Sequence, residues 1–378
     1  MRADGVTCVI QHDSRRASAD GDESERRNRA ELMANTQARC DADPRCAYVA
    51  ARVFGESGDE TSLDALYPPY WTKVFAMRRA LEMTEPRCAR AAWLDADATT
   101  HDARATCRTD EQRCETTVRS MSETIDGLFD GGDFFYSRDP GMNPEGQWWD
   151  SAFNAGVFGA ANTEGGREVL DAWGRLYPVD AWSLGEDGRW HTTSDVFGGP
   201  AYEQGAFASG VLDEYRARGA LREVDSCVIN TPCESFDEAS IRGAATCHFA
   251  GLFKKIYLEG YLKSVSDASA SLGAGPGTYA TSPARLRAAA ATVSEPFAKA
   301  CAHDLASTGL ARSNAPRSNA PHENNAAEAS PARRVEVDTE ALAGAAIVVA
   351  VIAGAFAALR RRRRAAADER LLESTPLV

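Results

Sequence analysis

No Asn-x-Ser/Thr acceptor with x other than proline occurs in the 378 residues, so the chain carries no N-glycosylation mark of secretion. Positive charge is in deficit: 42 Lys and Arg against 55 Asp and Glu leave a formal charge of −13. Phosphate binding needs a basic field, so this balance argues against a nucleic-acid partner. An anionic substrate would need a metal ion or a local basic group. The opening MRADGVTCVIQHD lacks the apolar stretch of a secretory leader. Among the ten cysteines no spacing resembles a zinc site.

What is present points to a globular chain. With 44% apolar residues it can bury a substantial core, as one large domain or two smaller ones with additions. Ten cysteines exceed the usage of most reduced cytosolic enzymes. Cys107/Cys114 and Cys227/Cys233 have spacings that would close short loops in an oxidising compartment, with unpaired structural thiols as the alternative. The segment ALAGAAIVVAVIAGAFAAL, residues 341–359, is free of charge and as a helix would reach roughly 28 Å, about one hydrocarbon core. It is expected to span a membrane once. The five arginines after it, Arg360 to Arg364, place the 360–378 tail in the cytoplasm and the large N-terminal part in a lumen or outside. That orientation calls for a leader upstream, so an incomplete N-terminus is expected, with insertion by the tail as the alternative. DERLL, residues 368–372, fits an acidic dileucine sorting signal and a Golgi or endosomal location.

Residues 5–262 alternate strand-like and helix-like patterns, which predicts an α/β domain. GVTCVI, CAYVAARVF, AAWLD, DFFYS and FNAGVFG read as strands. SERRNRAELMANTQARC has helical composition. Helical stripes run through Tyr70, Val74, Met77 and Leu81, through Val169, Leu170, Trp173 and Leu176, and through Phe207, Val211 and Tyr215. A helical or irregular extension is expected over 263–302. A flexible stalk containing the tandem RSNAPRSNAP is expected over 303–340.

Asp-x-Asp occurs three times. Asp41 and Asp43 fall in a turn bounded by Cys and Pro, and Asp20 and Asp22 in a polar loop, where solvated carboxylates are expected. Asp95 and Asp97 instead follow the apolar strand AAWLD. They should emerge at the carboxyl end of a sheet strand, where open α/β sheets bind ligands, with both carboxylates on one face. Such a pair can hold a hard divalent cation that keeps positions open for diphosphate oxygens.

Five blocks in order, PYWTK, WLDADA, FNAGVF with LDAW, YEQGAF and CHFAG, resemble the nucleotide-diphospho-sugar transferases over residues 45 to 255. The resemblance is closest to the galactosyltransferase-like glycosyltransferase family 34. It implies a type A glycosyltransferase fold, with a Rossmann-like, mostly parallel sheet flanked by helices. It implies Mn²⁺ or Mg²⁺ held by Asp95, Asp97 and His248, with Asp95 also touching the donor. It places Lys73 near the donor diphosphate, Asn154 and Gly156 in an Asn-x-Gly turn lining the sugar pocket, and Gly251 at the donor site. Gln204 matches a glutamine near the reacting carbon, and Glu203 stands where the family usually has Asp. The implied reaction moves a hexose or pentose from a nucleotide-diphosphate sugar, UDP favoured, to a glycan or glycoprotein acceptor with retention.

Each residue also has a plain structural reading: a satisfied core histidine, a solvated lysine, helix-start acids, an ordinary turn. Trp148, Trp149, Trp182 and Trp190 suit either sugar stacking or core packing. Two other functions fit parts of the pattern. LDADATT resembles the nucleophile and general-acid motif of haloacid dehalogenase-like phosphatases. A membrane-tethered glycan-binding module without catalysis would also use this scaffold.

Overall fold

The run expected near the N-terminus forms strand β1 (Val6–His12), and helix α1 (Glu23–Asp41) follows. CAYVAARVF is not one strand. β2 takes Cys46–Tyr48, and helix α2 (Ala50–Phe54) follows, because its alanines and arginine favour helix while Val53 and Phe54 reach the core. After α3 (Leu63–Leu66), helix α4 (Pro69–Glu82) starts on Pro69, where a missing N–H costs nothing. Val74, Met77 and Leu81 are buried as expected, but Tyr70 is 37% exposed and Trp71 occupies the core instead. The Trp71 indole N–H donates to Ala201 O at 3.0 Å, which anchors that choice.

Strands β3 (Cys88–Asp95) and β4 (Ala98–Thr100) come next. The charged insert over 99–124 contributes a hairpin, β5 (Ala103–Cys107) with β6 (Cys114–Val118), and helix α5 (Met121–Phe129). A reciprocal cap between Ser120 and Glu123 starts α5. Then follow β7 (Phe134–Asp139), β8 (Ser151–Ala161), α6 (Glu164–Arg175) and the small pair β9 (Trp182–Leu184) and β10 (Trp190–Thr192). The Phe207/Val211/Tyr215 stripe divides between α7 (Glu203–Gly210) and α8 (Leu212–Ala217), yet all three side chains stay buried. β11 (Leu221–Glu223), β12 (Thr246–His248), α9 (Leu258–Leu272) and β13 (Thr278–Thr281), which pairs with β6, come last.

The computed structural model describes residues 5–13, 23–55, 61–101, 103–107, 114–139, 151–194, 198–230, 232–236, 239–240, 243–250, 257–272 and 278–281. The expected stalk, membrane span and basic tail lie outside them. Among the described residues no helix is long and apolar enough to cross a membrane.

The central sheet has six strands in the order β11-β7-β8-β3-β1-β2. All run parallel except β8, which is antiparallel to both β3 and β7. This is a mixed α/β fold with a mostly parallel sheet, as the alternating pattern implied. Strand alternation makes the layers. Cys8, Ile10, Ala91, Trp93, Phe134 and Tyr136 face one cluster, covered by α4, α6, α7 and α8. Val9, Ala92, Leu94, Phe135 and Val157 face the other, covered by α5. Near-continuous apolar runs in β1 and β3 follow from burial on both faces.

Disulfides join Cys8 to Cys88, Cys40 to Cys46 and Cys233 to Cys247. The suggested Cys227/Cys233 loop does not form, since Cys233 is taken by Cys247, although Cys227 is itself disulfide-bonded. The side chains of Cys107 and Cys114 lie outside the description.

Candidate metal centre

β3 ends at Asp95, opposite His12 of β1, while Leu94 pairs with Val157 of antiparallel β8. The carboxyl end of β3 therefore meets the carboxyl end of β1 and the stretch Asn154 to Gly156 that leads into the β8 pairing. Asp97 is not on the strand. It lies in the turn between β3 and β4, so the two carboxylates converge through a reversal of the chain and not through strand periodicity.

The third group arrives by strand pairing. β12 runs antiparallel to β4 with His248 opposite Ala98, and the Phe249 N–H donates to Asp97 O at 2.9 Å. His248 Nε2 thereby sits 3.4 Å from Asp97 Oδ1 and 4.0 Å from Asp95 Oδ2. One ligand atom from each of the three residues lies within 4.8 Å of the others. Donors sharing an octahedral cation at about 2.1 Å stand roughly 3 Å apart across an edge, so a contraction of up to about 2 Å in the widest pair would close the set. His248 is buried, and its Nδ1 finds no hydrogen-bond partner among the described residues. Two carboxylate oxygens and an imidazole suit a divalent cation. Gly156 permits this approach, because a Cβ there would run into the His248 ring.

Asp95 divides its oxygens. Oδ1 accepts from Lys73 Nζ at 2.9 Å and from the Trp93 indole N–H at 2.7 Å, while Oδ2 is the oxygen that faces His248. Trp93 and Asp95 are two apart on β3, so the indole can brace the carboxylate. Lys73 also donates to Ala155 O at 3.1 Å and lies 3.3 Å from Glu203 Oε1. Its three N–H bonds thus have three acceptors, and the solvated-lysine reading is wrong. Burial alone would lower the Lys73 ammonium, but Asp95 and Glu203 outweigh it and raise it. Burial pushes the Glu203 carboxyl up, Lys73 opposes that rise, and Asp95 adds to it. Glu203 Oε2 is buried without a partner among the described residues.

Gln204 Oε1 accepts from the Ala155 N–H at 3.2 Å, and Asn154 Oδ1 accepts from the Gly156 N–H at 2.7 Å. Asn154 and Gly156 lie within β8 and not in a loop turn; Asn154 pairs with Ser137 of β7 at a register shift, and the β3 pairing begins at Val157. Gly251, Trp148 and Trp149 lie outside the described residues. Trp182 donates to Ala201 O and Trp190 to Asp64 O, so both are anchored in the fold.

Sequence reasoning missed Gln11. Fully buried on β1, its amide donates to Asp95 O at 2.9 Å and Ala98 O at 2.6 Å, which pins both ends of the turn carrying Asp97. The available signal was a polar residue closing the apolar run GVTCVIQ. Asp43 was misread as solvated. It is buried and accepts from the N–H groups of Ser122 at 2.7 Å and Arg45 at 2.9 Å.

No family model and no curated protein matches the chain. Among solved structures it is similar to a glycosyltransferase involved in the glycosylation of the major capsid of PBCV-1, with 13% identity over 68% of this chain and 97% of that one, at a TM-score of 0.40. A likeness of that degree assigns neither activity nor substrate.

Proposed function

We propose that the protein is a metal-dependent glycosyltransferase that moves a hexose or pentose from a nucleotide-diphosphate sugar, most simply a UDP-sugar, to a glycan acceptor with retention. One observation carries the reading. The WLDADA and CHFAG blocks, far apart in sequence, bring Asp95, Asp97 and His248 to one point at the carboxyl end of the central sheet.

These three residues would hold Mn²⁺ or Mg²⁺, which when bound supplies charge stabilisation for a departing diphosphate. The chain's own groups do the rest. Lys73 and Trp93 hold Asp95 in one orientation, so Oδ2 stays directed at His248. Glu203 Oε2, buried and without a partner among the described residues, is suited to accept a hydrogen bond from a sugar hydroxyl. Gln204 braces Ala155, whose carbonyl holds Lys73, and orients groups without supplying a proton. Retention needs little more from the protein than such positioning. In this reading residues 1–262 are the catalytic part, and a stalk and single span at 303–359 tether it to an endomembrane with the catalytic part in the lumen.

The test is a panel of nucleotide sugars with Mn²⁺, Mg²⁺ or chelator, scored by nucleotide release. Release should require the metal and fall about 100-fold or more in Asp97→Ala. Equal turnover by that variant would remove the metal reading. Hydrolysis of a generic phosphomonoester without sugar-nucleotide turnover would favour the phosphatase alternative, and metal-independent glycan binding alone would favour the binding module.

A further inference from the structure

The chain leaves the C-terminal end of α4 to enter β3 at its start, so the N-terminal turn of α4 lies at the carboxyl end of the sheet, beside the metal centre. Lys73 confirms this placement by reaching Asp95. Tyr70 is one turn before Lys73 on the same helix, and residues three apart are neighbours on a helical surface. Tyr202 directly precedes Glu203. The two tyrosine rings meet edge to face at 4.9 Å. Trp182 completes the corner, 5.2 Å from Tyr202 and 6.0 Å from Tyr70.

Trp182 and Tyr202 are almost entirely buried, and the Trp182 indole N–H is fixed on Ala201 O at 2.8 Å. Tyr70 is different: with 37% of its surface open, it is an exposed aromatic held on the rings of Tyr202 and Trp182 one helical turn from Lys73. The helical stripe predicted its burial, so its outward place is set by the tertiary structure. What sets Tyr70 apart is the aromatic base under it and its place one helical turn from Lys73.

We propose that Tyr70, supported by Tyr202 and Trp182, is the platform on which a pyranose ring of the acceptor glycan packs. The inference rests on the transferase reading and names the acceptor side of that same site. A pyranose offers one face of C–H groups and a rim of hydroxyls. The C–H face suits an aromatic ring, and the rim suits the buried polar groups around Glu203 one residue beyond Tyr202. The corner presents ring faces, so the anionic diphosphate of the donor suits Lys73 and the metal-holding residues better.

The experiment measures binding of methyl β-glucoside, methyl β-galactoside and methyl α-mannoside to the full chain by saturation-transfer NMR, with tryptophan fluorescence as a second readout. Wild type, Tyr70→Ala and Tyr70→Phe are compared. At least one glycoside should bind wild type, lose about 5-fold or more in affinity in Tyr70→Ala, and keep its affinity in Tyr70→Phe. Unfolding curves check that both variants fold. Unchanged binding by Tyr70→Ala overturns the platform, as does a wild type that binds Mn²⁺ and a UDP-sugar but none of the glycosides, which leaves the transferase reading standing. Glycoside binding that depends on Tyr70 in a protein with no affinity for any nucleotide sugar keeps the platform and removes the transferase reading.

Discussion

Replacing Lys73 by Met tests how the acidic centre is held together. The ammonium is buried, 2.9 Å from Asp95 and 3.3 Å from Glu203. A charge pair at the longer distance is worth about 5 kcal/mol at an effective dielectric near 20, before the cost of desolvating both ions. Removing one member of such a buried pair commonly costs about 3–5 kcal/mol. The lower end applies here for two reasons. The Glu203 carboxyl is already pushed up by burial and can take a proton when its counter-charge is lost. Asp95 is 30% exposed and can hydrate. Lys73→Met is therefore expected to lose about 3 kcal/mol in urea unfolding at pH 7 with an unchanged slope. Glu203→Gln should lose about 1 kcal/mol, because Lys73 keeps Asp95 and the Ala155 carbonyl. The double variant should be more stable than the two losses added together, with a coupling of about 1–2 kcal/mol. Additivity within about 0.5 kcal/mol would refute a direct Lys73–Glu203 interaction.

Two further outcomes follow from single contacts. Gly156→Ala should drive the His248 ring from Asp97. The cost should be about 1–3 kcal/mol in stability and more than about 10-fold in Mn²⁺ affinity by spin-resonance titration, and wild-type metal binding would contradict the close approach. Burial alone would raise the Asp43 carboxyl, but its bonds to Ser122 and Arg45 outweigh that and hold it below the ordinary value. Its contribution is thus full above about pH 4 and lost as pH falls through the depressed folded value. Asp43→Asn should cost about 1–2 kcal/mol at pH 7 and progressively less below pH 4. A difference that stays constant down to pH 2.5 would place the effect elsewhere.

By itself the sequence determined strands β1, β3, β7 and β8, part of β2, and the end of β3 as the candidate place for chemistry. A buried parallel strand must be apolar throughout, and GVTCVI and AAWLD can hardly be anything else. Asp95 and Asp97 were legible as candidates because an acidic pair follows such a strand, and His248 only through the resemblance of the CHFAG block. Tertiary structure alone decided that they meet. The pairing of β12 with β4 spans about 150 residues of chain, and no local periodicity encodes which short strand finds which. The same holds for Gln11, an unremarkable polar residue until its amide bonds the turn beyond β3. Tyr70 gave way to Trp71 in the core, since an indole N–H needs a buried carbonyl and Ala201 supplies it from 130 positions away. Local pattern sets which residues can be buried or charged, and long-range hydrogen bonding and packing select among them, because those contacts exist only once the chain has closed on itself.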